Sequence, residues 1–135
     1  MFPRAAAALL CAAVLAGACS DATAPADAGS APTPGCQDGT LASRGLYRLC
    51  FPAQWNGDLV VYAHGYVSPY DPVTIQDNVV GGVPVSATVT GLGYAFATTS
   101  YRANGLVVAD GVEDLVELTA KVRALVRPDP RRTFV

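Results

Sequence analysis

Leu59-Val60-Val61-Tyr62-Ala63-His64-Gly65-Tyr66 is the stretch of the sequence on which the rest of the chain depends. Its first five residues form an almost continuous apolar run, which is typical of a strand covered on both faces of a sheet. The Asn56-Gly57 pair just before the run is a strong turn signal, because both residues tolerate a positive φ. A polar loop that contains two prolines, residues 67–78, comes after it. We therefore predict a buried strand that ends abruptly at His64.

The chain beyond this strand alternates between helix and strand patterns. Residues 83–90 suit a short helix, because Pro84 is favoured in a first helical turn, although the β-branched residues weaken this assignment. Residues 94–99 predict a second compact apolar strand, and Asn104-Gly105 marks another turn.

The clearest helix is predicted over residues 110–126. Its apolar residues recur at helical spacing and form a broad stripe. Asp110 can cap the helix, and Glu113 completes a capping-box pattern. Two prolines stop the helix, and residues 132–135 look like the opening of a third strand that is cut short.

Upstream of the central strand, residues 37–52 predict an antiparallel strand, turn and strand. Strands that alternate with helices imply parallel strands joined by crossover helices, so the predicted class is α/β. In such sheets functional residues gather at the carboxyl ends of the strands. Here those ends are His64-Gly65-Tyr66 and Ser100-Tyr101-Arg102.

The first 18 residues have the features of an export signal. They carry one cation at Arg4, then an apolar run that is shorter than the roughly 20 residues of a membrane-spanning helix. Ala16-Gly17-Ala18 is a small-residue cleavage site, so residues 1–18 are predicted to be a signal peptide. The segment before Cys19 also resembles a bacterial lipobox, with Ala16 where that motif prefers Leu. We therefore expect either a lipidated Cys19 in the bacterial cell envelope, the only predicted link to a membrane, or a secreted protein.

Residues 19–35 are rich in Ala, Pro, Ser and Thr and have no apolar periodicity, so they are predicted to be a disordered tether. Residues 36–135 remain to form the folded domain. Cys11 lies in the leader and Cys19 is assigned to lipidation, so Cys36 and Cys50 remain, and disulfides persist after export. These two are predicted to form a bridge that closes a short loop and holds the first hairpin to the end of the tether. Two buried free thiols are the alternative.

The composition points to neither nucleic acid nor metal as a partner. The formal charge is −2, and no basic run is interleaved with aromatic residues. The single histidine and the scattered cysteines do not match a zinc spacing. No cofactor is predicted.

From residue 45 to residue 135 the sequence resembles the α/β-hydrolases. The similarity is carried by the stretch from Trp55 to Tyr66 with its terminal His-Gly, by Gly91-Leu92-Gly93-Tyr94-Ala95-Phe96-Ala97, and by the following helix. Within that family the chain looks most like secreted bacterial esterases and lipases, and peptidase-like members share the pattern. The implied fold is the N-terminal part of an α/β-hydrolase sheet, an antiparallel hairpin followed by parallel strands with crossover helices.

The resemblance also implies a mechanism in which a serine attacks an acyl carbonyl and backbone N–H groups stabilise the oxyanion. One donor comes from the loop after the His-Gly strand. Carried over, that donor is the backbone N–H of Tyr66. Gly65 would permit a close backbone approach, and His64 would brace the loop. Tyr101 and Arg102 would shape the substrate pocket or would simply be solvated.

The nucleophile of this family lies in a Gly-x-Ser-x-Gly elbow, and no such pattern occurs here. Ser100 ends a strand but lacks flanking glycines, so it is interpreted as pocket lining or strand-end polarity. Asp110 and Asp114 are interpreted as helix cap and solvated face. We therefore expect an N-terminal fragment of an exported serine hydrolase acting on a small ester, or on a peptide, and we expect the chain to be inactive alone.

A second hypothesis treats the chain as a complete, non-catalytic cell-surface lipoprotein with a binding or structural role. The two hypotheses differ in what lies beyond residue 135, where the resemblance places the elbow.

Overall fold

The computed structural model describes residues 32–135. The predicted signal peptide, Cys19 and most of the predicted tether lie outside the described residues. Within them the strands and helices follow one another as β1 Gly35–Thr40, β2 Leu46–Phe51, β3 Asp58–Tyr62, β4 Val79–Val80, β5 Val83–Pro84, α1 Val85–Gly91, β6 Ala95–Thr99, α2 Val108–Leu125 and β7 Arg132–Phe134. Neither helix of this part of the chain has the length and apolarity that crossing a membrane requires.

The main sheet has five strands in the order β1-β2-β6-β3-β7. β2 runs antiparallel to both β1 and β6, whereas β3 runs parallel to both β6 and β7. The predicted α/β class is confirmed at this level: an antiparallel hairpin comes first, and parallel strands joined through helices follow. The strands predicted at the centre of the sheet, β3 and β6, are its most buried members.

The core lies between one face of the sheet and α2. Alternate residues of the strands pack there against Leu118, Val122 and Val126; the buried strand and turn residues are Leu41, Leu49, Phe51, Leu59, Val61, Ala95 and Ala97. On the other face, the ring of Phe96 stacks on that of Tyr62 with 6.3 Å between centroids. Burying one face under α2 and the other under α1 and its loop explains why β3 and β6 are apolar on both sides.

Helix α1 is attached to that second face by a polar contact. The Asp77 carboxylate accepts hydrogen bonds from the backbone N–H and the hydroxyl of Ser86, at 3.0 and 2.6 Å. The same carboxylate lies 3.2 Å from the Arg48 guanidinium on β2. Arg48 also forms a two-point ion pair with Asp38 on β1, which holds the pKa of Asp38 below its usual value.

Two local predictions are corrected by the structure. Residues 83–84 belong to a small β4–β5 hairpin that the sequence analysis did not predict, and α1 begins only at Val85. Gly81 and Gly82 form the turn of this hairpin with φ of +60° and +84°, a region that glycine enters without steric cost. The later helix begins at Val108 with Val107 in the cap position, so Asp110 lies in its first turn and does not cap it.

The turn between β1 and β2 is held by α2. The Glu117 carboxylate accepts hydrogen bonds from the backbone N–H groups of Ala42 and Ser43, at 2.5 and 3.2 Å. Arg44 in this turn has a φ of +75°, which is uncommon outside glycine. The first hairpin and the long helix are therefore tied at this turn as well as through the core.

The predicted third strand is confirmed as β7, which pairs in parallel with β3. Its Arg132 is the register partner of Asp58 and donates to the Asp58 carboxylate, with Nη2 at 2.6 Å. The Nε of Arg131 lies 3.6 Å from the other carboxylate oxygen. The hydrogen bond from Arg132 lowers the pKa of the buried Asp58 carboxyl. The pair fixes the edge strand at the amino end of β3, away from the carboxyl-end residues.

The predicted disulfide between Cys36 and Cys50 is confirmed, and it joins direct register partners of β1 and β2. We expect the double substitution Cys36→Ser and Cys50→Ser to lower the free energy of unfolding by about 3 kcal/mol, because the loop of about 15 residues is no longer closed in the unfolded chain. Urea unfolding followed by circular dichroism measures this. Superimposable curves for the parent and the double variant would show that the bridge contributes nothing.

Candidate functional site

The carboxyl ends of β3 and β6 border a cleft of about 280 Å³. The connection from β3 to its neighbour β6 runs through α1 on one face of the sheet. The connection from β6 runs through α2 on the other face, in the opposite direction, and passes β3 to reach β7. Connections that leave neighbouring parallel strands in opposite directions open a crevice at the carboxyl ends, where ligands bind in α/β sheets. The lining residues are His64, Gly65, Tyr66, Val67, Tyr101, Ala103, Asn104, Gly105, Leu106, Val107, Val108, Gly111, Val112 and Leu115.

His64 lines the cleft and is buried, with 8% of the residue exposed. Its Nδ1 lies 2.7 Å from the carbonyl oxygen of Gly65. Because a carbonyl only accepts, Nδ1 carries a proton and donates it, and Nε2 is the other hydrogen-bonding atom of the ring. This Nε2 is buried and has no partner among residues 32–135. The contact joins the His64 ring to the backbone of the loop that follows β3.

Tyr101 fixes His64 from the neighbouring strand end. The two rings stack with 4.1 Å between centroids, and the Tyr101 hydroxyl donates to the His64 carbonyl at 3.0 Å. Burial raises the pKa of Tyr101, so the hydroxyl keeps its proton as a donor. Tyr101 has a φ of +56°, an uncommon conformation for a bulky residue that is often found at functional sites. The predicted pocket residue is thus also a positioning residue.

We expect Tyr101→Phe to loosen the loop after β3 without unfolding the chain. The variant keeps the ring stack and loses one hydrogen bond to a backbone carbonyl, which contributes about 1 kcal/mol. The amide order parameters of residues 64–67, measured by ¹⁵N relaxation, should fall in the variant, because the loop loses one of its fixed attachments. The control is Tyr70→Phe, at a residue that is 95% exposed. Unchanged order parameters in the Tyr101 variant would contradict the positioning role.

Arg102 lies just outside the cleft and clamps the end of β6 to α2. Its backbone N–H and its guanidinium both donate to the Asp114 carboxylate, at 2.7 Å and 2.6 Å. Asp110 and Glu113 lie 3.6 and 3.2 Å from Nη1 of the same guanidinium. The acidic groups raise the pKa of Arg102, the Asp114 hydrogen bond most of all. Asp114 was predicted on a solvated face, and that prediction is wrong, because its side chain is fully buried.

The pKa of Asp114 reflects two opposed effects. Burial raises it and is the largest single effect. The hydrogen bonds from Arg102 and Ser43, with the positive charge of Arg102, together outweigh burial, so the net pKa lies below the usual value. Asp114 is therefore a charged anchor at neutral pH and has no proton to supply.

Ser100 is fully buried and both sides of its hydroxyl are occupied. The hydroxyl donates to the Tyr101 carbonyl at 2.7 Å and accepts from the backbone N–H of Leu46 at 2.9 Å. It is not among the residues that line the cleft. The interpretation as strand-end polarity describes it better than pocket lining, and it is poorly placed to attack a substrate.

Gly65 and Tyr66 form the open side of the loop. Tyr66 is 71% exposed, and its backbone N–H makes no hydrogen bond to any of the residues that the structure describes. A Cβ added at Gly65 would meet no atom within 4 Å. No described residue therefore packs closely against the Gly65 backbone, and the predicted close approach there would be to a bound ligand. The free N–H of Tyr66 is available to a ligand.

The apolar wall of the cleft comes from residues 105–108 and from the first turns of α2, and it was not predicted from the sequence. Leu106, Val108 and Val112 lie there and are all more than half exposed. The apolar stripe of α2 is wider than the sheet can cover, since Leu118 and Val122 are the only large apolar side chains between Val108 and Leu125 that are fully buried. That excess width was visible in the sequence and is the pattern that could have revealed the wall.

No family model, curated protein or solved structure matches the chain. Within residues 32–135, no group of three or more His, Cys, Asp and Glu side chains could hold a metal ion. A functional interpretation of the cleft therefore rests on its own geometry and on the residues that form it.

Proposed function

We propose that the chain is the N-terminal part of an exported serine hydrolase of the α/β-hydrolase type, which cleaves small esters, with peptides as the second substrate option. The observation that carries the proposal is the free backbone N–H of Tyr66, presented at the carboxyl end of β3 beside the cleft. The mixed sheet with its initial antiparallel hairpin is compatible with the proposal.

In this mechanism the chain stabilises charge. When a serine attacks the acyl carbonyl, the carbonyl oxygen becomes an oxyanion, which preorganised N–H donors stabilise. In α/β-hydrolases one donor comes from the loop between the third strand and the first helix. In this chain that loop joins β3 to α1 and contains Tyr66. His64 and Tyr101 hold the loop in place, so that the Tyr66 N–H need not reorganise during the reaction.

The attacking group is proposed to lie outside these 135 residues, together with the acid and the base. Ser100 is buried and doubly hydrogen-bonded, and His64 has its Nδ1 proton committed to a backbone carbonyl. The 135-residue chain is accordingly expected to show no esterase activity.

The test is to sequence the gene beyond codon 135 and to express the extended product. We expect a Gly-x-Ser-x-Gly elbow within about ten residues, and hydrolysis of p-nitrophenyl acetate that is lost when the elbow serine is changed to alanine. A stop codon with no hydrolase sequence beyond it would overturn the proposal. So would an extended product that contains the elbow, folds, and hydrolyses neither ester nor peptide substrates.

The alternative is a non-catalytic cell-surface lipoprotein whose cleft binds a ligand without transforming it. The mostly apolar lining of the cleft, with no nucleophile presented into it by the described residues, favours this alternative. Metabolic labelling with palmitate tests the anchor: label should appear on the parent and be absent from Cys19→Ala. Labelling is compatible with both candidates, and only the gene sequence separates them.

A further inference from the structure

Among the residues that the structure describes, no Asp, Glu, Lys or Arg lines the cleft beside Tyr66. Its walls are formed mainly by apolar groups, including Val67, Leu106, Val107, Val108, Val112 and Leu115. The amide of Asn104 is already committed, since it donates to the carbonyls of Asp71 and Pro72 at 2.8 and 3.3 Å. A ligand in the cleft would therefore meet apolar surface along most of its length, and polar groups only at the end formed by residues 64–66.

The carboxylates nearest to the cleft are occupied elsewhere. Asp110, Glu113 and Asp114 all lie within 3.6 Å of the Arg102 guanidinium, which does not line the cleft. A charged ligand group would lose its hydration in the cleft and find no opposite charge there, which is strongly unfavourable. The lining of the cleft therefore disfavours charged ligands, in addition to favouring apolar ones.

The apolar side chains at the mouth of the cleft are uncovered. Leu106 is 89% exposed, Val108 70% and Val112 56%. Covering such side chains with a ligand removes apolar area from water, which favours binding. With a volume of about 280 Å³, the cleft is at the lower limit for small-molecule sites, so it suits a short chain and not a long lipid.

We propose that the cleft is the acyl-binding subsite for a short, uncharged aliphatic acyl group, with the ester carbonyl directed at the Tyr66 N–H. This inference rests on the proposed function for the role of the carbonyl. The selection for uncharged, short aliphatic groups follows from the lining alone and can be tested without catalysis.

The test is binding of amides, which resemble esters and are stable, to the full chain labelled with ¹⁵N. Hexanamide is expected to shift the amide resonances of residues 64–67 and 103–112. Hexanoate, which has the same length but is ionised at pH 8, and acetamide, which is short, should each bind at least tenfold more weakly. Val112→Asp places a charge in the cleft and should weaken hexanamide binding at least tenfold.

The matched control is Val116→Asp, one turn further along α2, at an exposed side chain outside the cleft. It should leave hexanamide binding within twofold of the parent. Equal binding of hexanamide and hexanoate, shifts located elsewhere, or equal effects of the two Asp variants would each overturn the inference. Hexanamide binding in the cleft with no hydrolase sequence in the gene would overturn the proposed function and leave the selectivity of the cleft standing. An extended enzyme whose esterase activity is unchanged by Val112→Asp would overturn the acyl-binding role of the cleft and leave the proposed function standing.

Discussion

Replacing Asp114 by Asn is expected to lower the free energy of unfolding by about 3 kcal/mol, the lower end of the range for breaking a buried ion pair. The Asp114 side chain is fully buried and accepts from both the backbone and the guanidinium of Arg102. The estimate is at the lower end because Arg102 is partly exposed and can regain water. Urea unfolding at pH 7 measures the change.

The matched control is Glu113→Gln, which removes a neighbouring carboxylate that also pairs with Arg102. Glu113 is largely exposed, so its replacement should change the free energy of unfolding by no more than about 0.5 kcal/mol. Equal effects of the two substitutions would show that the burial of Asp114 has no energetic consequence.

The contribution of Asp114 also depends on pH in a defined direction. Its pKa is lowered in the folded state, so the unfolded chain takes up a proton on this group first as the pH falls. The stabilisation is fully present above the unfolded pKa of about 3.9 and is lost as the pH falls through the folded pKa. The difference in unfolding free energy between the parent and Asp114→Asn should therefore shrink below about pH 4. A constant difference from pH 7 to pH 3 would contradict this.

Phe96→Ala is expected to destabilise the chain by about 4 kcal/mol, because it removes a large buried ring and leaves a cavity. Phe96 is the second residue of β6, is almost fully buried, and stacks on Tyr62. The control is Phe134→Ala on the edge strand β7, where the residue is 43% exposed and the expected loss is about 1 kcal/mol. Both losses can be measured by urea unfolding. Equal losses for the two variants would show that the deeper burial of Phe96 makes no difference to the free energy of unfolding.

The parts of the fold that the sequence predicted well are those in which pattern and burial agree. β3 and β6 are apolar on both faces, and they lie at the centre of the sheet. The Asn56-Gly57 turn was predicted from residues that tolerate a positive φ, and Gly57 has a φ of +88°. The pairing of Cys36 with Cys50 was predicted by elimination, because the other two cysteines were assigned to the leader and to the lipidation site. In the first two cases a local property determined the outcome.

The parts that it missed depend on distant partners. Asp114 occupies a helix position that solvated acids usually occupy, and only Arg102 on the preceding strand end makes its burial tolerable. The β4–β5 hairpin is too short to show an alternating pattern. The strand ends that form the site were predicted, since the rule for carboxyl ends needs only the order of the strands. The apolar wall was not, because an exposed apolar residue on a helix has the same sequence pattern as a buried one.

Helix α2 carries two separate attachments one turn apart. Asp114 anchors the strand end beside the cleft. Glu117 accepts hydrogen bonds from the turn of the hairpin that the disulfide closes. The bridge forms only where the surroundings are oxidising. We therefore expect the cleft to reach its final rigidity only once the bridge in the hairpin has formed. Hydrogen exchange in residues 108–118, compared with and without a reductant, would measure how far the oxidation state of the hairpin is transmitted to the end of the sheet that borders the cleft.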